Sequence, residues 1–345
     1  MKASNVWLAV AGALLVPAAM AQSANPVTLY GRVYITVESV EAKGGTTPVA
    51  ERVRMRDQSS LLGVRGEEDL GGGLKAFFQL ETGFNPDQSS GTFAGRNSGV
   101  GLRGKWGSVL VGRWDTPFKQ TQVGSIDPWT DLQIGDITGA AIRQGDFSIR
   151  ASNILQYWSP VFARTQVKLM WVPNETRTAQ VNPSMYGGAI TWGGGDTSLS
   201  CAYEKHKELV DQVVTPRVDE EGHGISGEYR FGPVKLTGQY GEYERTGTVK
   251  QKSYQVGAQY YVGKHQFIAT YSASKDGGAV DTLQPECDLA ALGYRYNLSR
   301  RTFFIASYAQ VENDVGRLCN FGSGSLSIQN GQDPQGFSLG LRTVF

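Results

Sequence analysis

The chain has 345 residues, with 33 Lys and Arg against 32 Asp and Glu, for a formal net charge of +1. That balance argues against a nucleic-acid binder, which carries a basic excess to displace counterions. The 40% hydrophobic residues, with 7 Trp, 15 Tyr and 14 Phe, exclude a disordered chain. Its 44 glycines, well above the average share, disfavour a helix-rich fold, because Gly costs roughly 1 kcal/mol in a helix interior. Length alone sets a prior of about two domains, which closed β architectures can exceed as one.

The first segment reads as an address. Lys2 supplies a positive n-region, Trp7 to Val16 an apolar h-region, and Ala19-Met20-Ala21 an A-x-A site. This predicts a signal peptide over residues 1–21, cleaved before Gln22, and one mature domain over 22–345. The apolar run falls short of the roughly 20 residues a helical anchor needs. Without Lys2 the mature chain carries 32 basic and 32 acidic residues. No later run reaches the length of a spanning helix, so hydropathy alone would class it as soluble.

Alternation argues otherwise. Val27, Leu29, Gly31, Val33, Ile35 and Val37 share one face of an extended segment, and Thr28, Tyr30, Arg32, Tyr34, Thr36 and Glu38 share the other. Ala76, Phe78 and Leu80 alternate with polar neighbours in the same way, as do Val167, Leu169 and Trp171. The pattern returns at Val234, Leu236 and Tyr240, at Tyr254, Val256 and Tyr260, and at Phe337, Leu339 and Leu341. It predicts sixteen strands, starting near residues 27, 53, 74, 94, 107, 150, 166, 185, 197, 223, 234, 252, 265, 288, 302 and 336.

The connections alternate in length. Short ones carry turn chemistry, as in Gly71-Gly72-Gly73, Gly104-Lys105-Trp106-Gly107 and Phe231-Gly232-Pro233. Eight long ones lie between them, at 40–52, 84–93, 114–149, 173–184, 205–222, 244–251, 274–287 and 313–335. A soluble sandwich has no reason to place every long loop at one end. An outer-membrane barrel has short periplasmic turns, long external loops and an even strand count. Its apolar face meets lipid and its polar face meets water, which leaves no large apolar core. The expected fold is therefore all-β, a transmembrane antiparallel β-barrel of about sixteen strands. At that size a barrel encloses an aqueous channel.

Six segments in order resemble the Gram-negative general porin family, in its β-proteobacterial branch. They are Thr28-Leu29-Tyr30-Gly31, Leu62 to Ala76, Val100 to Gly104, Gly112 to Phe118, Asn153 to Pro160 and Gly340 to Phe345. The resemblance covers nearly all of 22–345. It implies homotrimers in the outer membrane, in contact with lipid and lipopolysaccharide. It implies a long third loop folded into the lumen, and a terminal Phe345 read by the barrel-assembly machinery. The implied function is passive diffusion of small hydrophilic solutes and ions.

Candidate functional residues are then lumen charges. Arg32 lies on the polar face of the first strand, Arg54 and Arg56 near the outer end of the second, and Arg96 and Arg150 on strands four and six. Alternation groups Arg113 with Val109 and Val111, so the strand must bulge at Gly112; the resemblance places Arg113 on the pore wall. The third long segment carries Asp115, Asp127, Asp131, Asp136 and Asp146. Arginines on one wall facing acids on the inserted loop would select ions. Leu61 stands where the family usually has Arg, and Tyr34 where it often has Asp. The two changes oppose each other, and with Arg32 the residues lean toward anions.

Cys287 and Cys319 fall in the seventh and eighth long connections, neighbours on a barrel rim, and predict a disulfide. Cys201 sits in phase with Leu199 and Tyr203 and reads as lipid-facing. Asp219-Glu220-Glu221 reads as a solvated run in an external loop. His206, His223 and His265 lie far apart, two at strand ends and one in a loop. No H-E-x-x-H or C-x-x-C motif occurs, so no enzyme, metal or cofactor is expected. Three rivals remain: a porin selective for small organic acids, a barrel-anchored adhesin or receptor, and a barrel hydrolase.

Overall fold

A computed structural model describes residues 27–129, 133–136, 138, 147–210, 217–247, 250–277, 286–322 and 324–345. The segment expected as a signal peptide lies outside the described residues. Eighteen strand segments form one antiparallel sheet. The first, β1 (Thr28–Lys43), pairs with the last, β18 (Asp333–Val344), from Arg32↔Val344 to Lys43↔Asp333, so the sheet closes on itself. At the seam, the Phe345 amide donates to the Gly31 carbonyl and the Gly31 amide donates back to Phe345.

Two segments share one stave. β2 (Val49–Asp57) pairs with the outer half of β1, and β3 (Leu61–Gly71) pairs with its inner half, Thr28 to Arg32. The ladder is interrupted at Gln58, Ser59 and Ser60, where Ser59 takes a φ of 64°. β4 (Leu74–Asn85) carries a three-residue spur, β5 (Ser90–Thr92), at its outer end. Counting β2 with β3 and leaving out the spur, the barrel has sixteen staves.

The remaining staves follow in order: β6 (Ser98–Gly104), β7 (Gly107–Asp115), β8 (Arg150–Trp158), β9 (Thr165–Val172), β10 (Ser184–Gly194), β11 (Thr197–Val210) and β12 (Val218–Phe231). Then come β13 (Val234–Arg245), β14 (Lys250–Val262), β15 (His265–Gly277), β16 (Glu286–Asn297) and β17 (Thr302–Asn313). Alternation sets their faces. On β15, Phe267, Ala269 and Tyr271 are exposed, whereas Ile268, Thr270 and Ser272 are buried. The outward set meets lipid, where every backbone group is already paired around the ring. Between β7 and β8 the register shifts from Gly112 to Trp114, which is the irregularity the alternation around Arg113 requires.

Several strands run further outward than alternation suggests. β11 continues to Val210 and β12 begins at Val218, so His206 and Asp219-Glu220-Glu221 lie in the ladder rather than in an external loop. Cys287 lies in β16, not in the connection before it. Arg96 lies just before β6 rather than within a strand. The strands that run on share a cause: above the membrane both faces of a strand are polar, so hydrophobic period two fades while the hydrogen-bond ladder persists.

Glu220 is buried rather than solvated. It pairs with Arg245 and lies 3.7 Å from His206, which is 2.8 Å from Glu204. Removing one member of a buried ion pair costs on the order of 3 kcal/mol. Arg245→Ala is therefore expected to lower the barrel's resistance to denaturant unfolding, and Arg245→Lys to recover part of it.

The expectation of no large apolar core is corrected by the interior. The third long loop (116–149) opens with the one helix among the described residues, α1 (Pro117–Gln122), N-capped by Thr116. Phe118 and Phe147 pack on inward-facing Ala189, Ala202 and Tyr243. Trp129 and Ile134 pack on inward-facing Ile268, Leu289, Ala291 and Ile305. The inner wall of β10–β17 carries apolar residues under this loop, interspersed with polar ones such as Ser226 and Thr270. Polar alternation inside a barrel predicts water there and misses a loop that returns.

Candidate functional site

The third loop lines one side of the lumen. An α1 carbonyl bonds the wall: Ser226 Oγ donates to the Thr121 carbonyl at 2.7 Å. Further on, the Trp129 indole N–H donates to Thr270 Oγ1 at 2.7 Å. The ring fits a notch at Gly293, where an added Cβ would lie 2.5 Å from Trp129 Cη2. Only the absence of a side chain at 293 admits the indole.

Arginines gather on the other side. Arg32, inward on β1, donates through Nε to the Ser59 carbonyl at 2.8 Å and through Nη2 to Ser59 Oγ at 3.2 Å. Arg96 Nη1 donates to the same Oγ at 3.0 Å. The break in the second stave thus turns Ser59 inward, and its oxygens hold two guanidiniums side by side. Their mutual repulsion is eased by Glu81, which accepts from Arg96 Nε at 2.6 Å and from the Tyr30 hydroxyl at 3.1 Å.

Arg150 continues the group. Its Nε donates to Asn97 Oδ1 at 2.7 Å, and its guanidinium lies 3.1 Å from Asp115. Asp115 also accepts from Asn97 Nδ2 at 2.9 Å and pairs with Lys119 at 3.1 Å. Hydrogen bonds to charged partners such as these contribute about 1.5–3 kcal/mol each. Above them on β2, Arg54 pairs with buried Glu38 at 2.8 Å. Arg56 lines a polar cavity of about 280 Å³ together with Asp57, Ser60, Asn85 and Arg96.

The structure brings Arg32 and Arg96 together on Ser59, and Arg150 and Asp115 together on Asn97, the residue after Arg96, with Arg56 beside Arg96. Arg113 donates to the Gly95 carbonyl and to Ser152 Oγ and makes no hydrogen bond to that group. Two loop acids turn back on their own chain. Asp127 accepts from the Trp129 amide, and Asp136 from the Thr138 amide and hydroxyl. Asp131 and Asp146 lie outside the described residues. Cys287 and Cys319 form a disulfide with Cα atoms 6.2 Å apart. Cys201 is free and exposed. Among the described residues no three His, Cys, Asp or Glu side chains gather as a metal site.

Ser59, Glu81 and Asn97 were not legible as site residues. Ser59 has no sequence mark beyond the polar run Gln58-Ser59-Ser60, and its role comes from the chain break. Glu81 falls on the polar face by alternation with Leu80, but parity does not mark it as the partner of Arg96.

Comparison with known proteins agrees with this architecture. A family model described as Gram-negative porin matches residues 8–316. Outer membrane porin protein 32 of Delftia acidovorans is 34% identical over the whole of both chains. The major outer membrane protein P.IB of Neisseria meningitidis is 27% identical over 92% of this chain and 95% of that one. The solved structure of an anion-selective porin from Comamonas acidovorans superposes with a TM-score of 0.79 at 27% identity, covering 93% of this chain and 100% of that one. OmpT of Vibrio cholerae, solved in a trimer form, shares the fold with a TM-score of 0.74 at 16% identity, over 93% of this chain and 99% of that one. The closed sixteen-stave barrel and these relatives together show that the chain belongs to the Gram-negative porin family of outer-membrane proteins.

Proposed function

We propose that the protein is a passive diffusion channel for small hydrophilic solutes and ions, with a preference for anions. The observation that carries the preference is the pairing of Arg32 and Arg96 on Ser59, with Arg150 close by on Asn97. Fixed charges act on a passing ion within a Debye length of roughly 8–10 Å. Asp127 and Asp136 are buried, and each accepts from its own loop through Oδ1, which sets both back from the lumen water. The 27% identical relative is itself described as anion-selective. Preference for particular organic acids is the second reading, supported by the polar cavity between Arg56 and Arg96.

We further propose export through a cleaved segment at 1–21, assembly by recognition of Phe345, and a homotrimer seated among lipid and lipopolysaccharide. The outer surface supports the trimer. Outward residues on β9–β17 include exposed Trp171, Trp192, Tyr229, Tyr260, Tyr294 and Tyr308, as an aromatic belt at a lipid interface requires. Outward residues on β1–β6 are mostly aliphatic, among them Leu29, Val53, Met55, Leu62, Leu80 and Val100. A sector without a belt fits a face covered by other subunits. Bilayer recordings of the purified mature protein test both points. Conductance in three equal steps per insertion is expected, with a reversal potential of anionic sign in a salt gradient. No ion flux would favour the adhesin or receptor alternative.

A further inference from the structure

Between the third loop and the short turns, the lumen wall carries aromatic rings beside cations. Alternation turns Phe77 on β4, Gly101 and Arg103 on β6 and Trp158 on β8 inward. Gly101 lies opposite Phe77 in the ladder, and a side chain there would collide with the Phe77 ring. The ring therefore lies down against β6, with the Arg103 guanidinium 4.9 Å from its centre. Trp158 is held from the other side. Its indole N–H donates to Gln156 Oε1 at 2.8 Å, and Gln156 Nε2 donates to the Asp115 carbonyl at 2.8 Å, just before the third loop. Trp114 packs edge-on against Trp158, with ring centres 6.0 Å apart. Phe77, Trp114 and Trp158 line one cavity of about 440 Å³ with Arg65, Arg103 and Glu67.

The cavity's charge is positive on balance. Its one acid, Glu67, is taken by Lys75 at 2.6 Å and by Arg103 at 3.2 Å. Arg65 lies over the Tyr30 ring, 5.1 Å from its centre, and pairs with no acid among the described residues. Water satisfies the cations of such a wall but not its rings. A solute with both a flat apolar face and an anionic group satisfies both.

We infer that this cavity is a binding site for aromatic carboxylates, separate from the Ser59 arginine cluster and on its periplasmic side. The solute's ring packs on Phe77 and Trp158, offset or edge-on as aromatic pairs prefer. Its carboxylate accepts from the guanidiniums of Arg65 and Arg103, whose planar forks match it. The channel reading above supplies only the solute's route to the site; binding itself needs no flux.

The test is equilibrium dialysis of benzoate against the purified mature protein in detergent. Cyclohexanecarboxylate is the matched probe, with the same charge and similar size but no aromatic face. Saturable benzoate binding is expected, about fivefold tighter than that of cyclohexanecarboxylate. Trp158→Leu and Phe77→Leu keep apolar bulk in place and should each erase most of that preference. Arg65→Gln combined with Arg103→Gln should weaken binding of both probes. In bilayers, benzoate should reduce chloride conductance more than cyclohexanecarboxylate does, and Trp158→Leu should remove the difference. Equal affinity for the two probes, or a benzoate preference that survives in every variant that assembles, would overturn the site. A protein that binds benzoate with this preference but passes no ions would support the site and overturn the channel reading.

Discussion

The variant Arg32→Glu, Arg96→Gln, Arg150→Gln is expected to convert an anion-preferring channel into a cation-preferring one. It removes three positive charges, adds one negative charge, and uncovers Glu81 and Asp115, which now pair with Arg96 and Arg150. Two unit charges about 8 Å apart interact by ~0.5 kcal/mol in bulk water and ~2 kcal/mol at an effective dielectric of 20. Summed over four charge units, even the lower figure moves the anion-to-cation ratio by more than tenfold. The reversal potential in a salt gradient should change sign at low ionic strength and shrink as salt rises. Adding Arg113→Glu should move the potential further the same way, because Arg113, on the Gly95 carbonyl and Ser152, carries another wall charge beside Arg96 and Arg150 in the chain. A triple variant that keeps the wild-type potential would remove the arginine group from the selectivity mechanism.

Loosening the third loop gives the second large effect. Trp129 is fully buried, donates to Thr270, and fills the notch at Gly293. Truncating a buried Trp to Ala typically costs 3–5 kcal/mol. Here the loss falls on the loop's docking rather than on the ladder, so Trp129→Ala should leave an assembled trimer with noisy openings and closure at lower voltage. Gly293→Val should reproduce this from the wall side by expelling the ring. The two changes share one contact, so they should not add. Once Trp129 is gone, a side chain at 293 meets open space. Additive effects in the double variant would mean that Trp129 does not anchor the loop through that notch.

The barrel was largely legible because its pattern is physical. Lipid outside and water inside enforce period two through the membrane, and turn chemistry marks the inner ends. Legibility failed where that contrast fades. Glu220 and His206 sit above the membrane, where polar residues occupy both faces, and charge alone made them look like loop. Trp129 and Phe321 belong to returning loops, whose partners are tens to hundreds of residues away and share no period with them. Among the site residues, parity identified Arg32, and alternation flagged the irregularity beside Arg113. Parity could not identify Ser59, because an interrupted ladder breaks the rule by which a face is assigned. Nor could it show that Asp127 and Asp136 fold back on their own loop, since that depends on local turns rather than on sequence spacing.

The interruption at Gln58–Ser60 also bears on how this barrel can change over generations. In an unbroken strand, one inserted residue flips every later side chain to the opposite face. Here β2 and β3 each keep their own register against β1. A length change above the break need not propagate below it. The outer half of the stave, with Arg54 and Arg56, is thus free to vary with the solutes or hosts a lineage meets. The lower half, which closes the wall beside the chain terminus, stays in step with its neighbours.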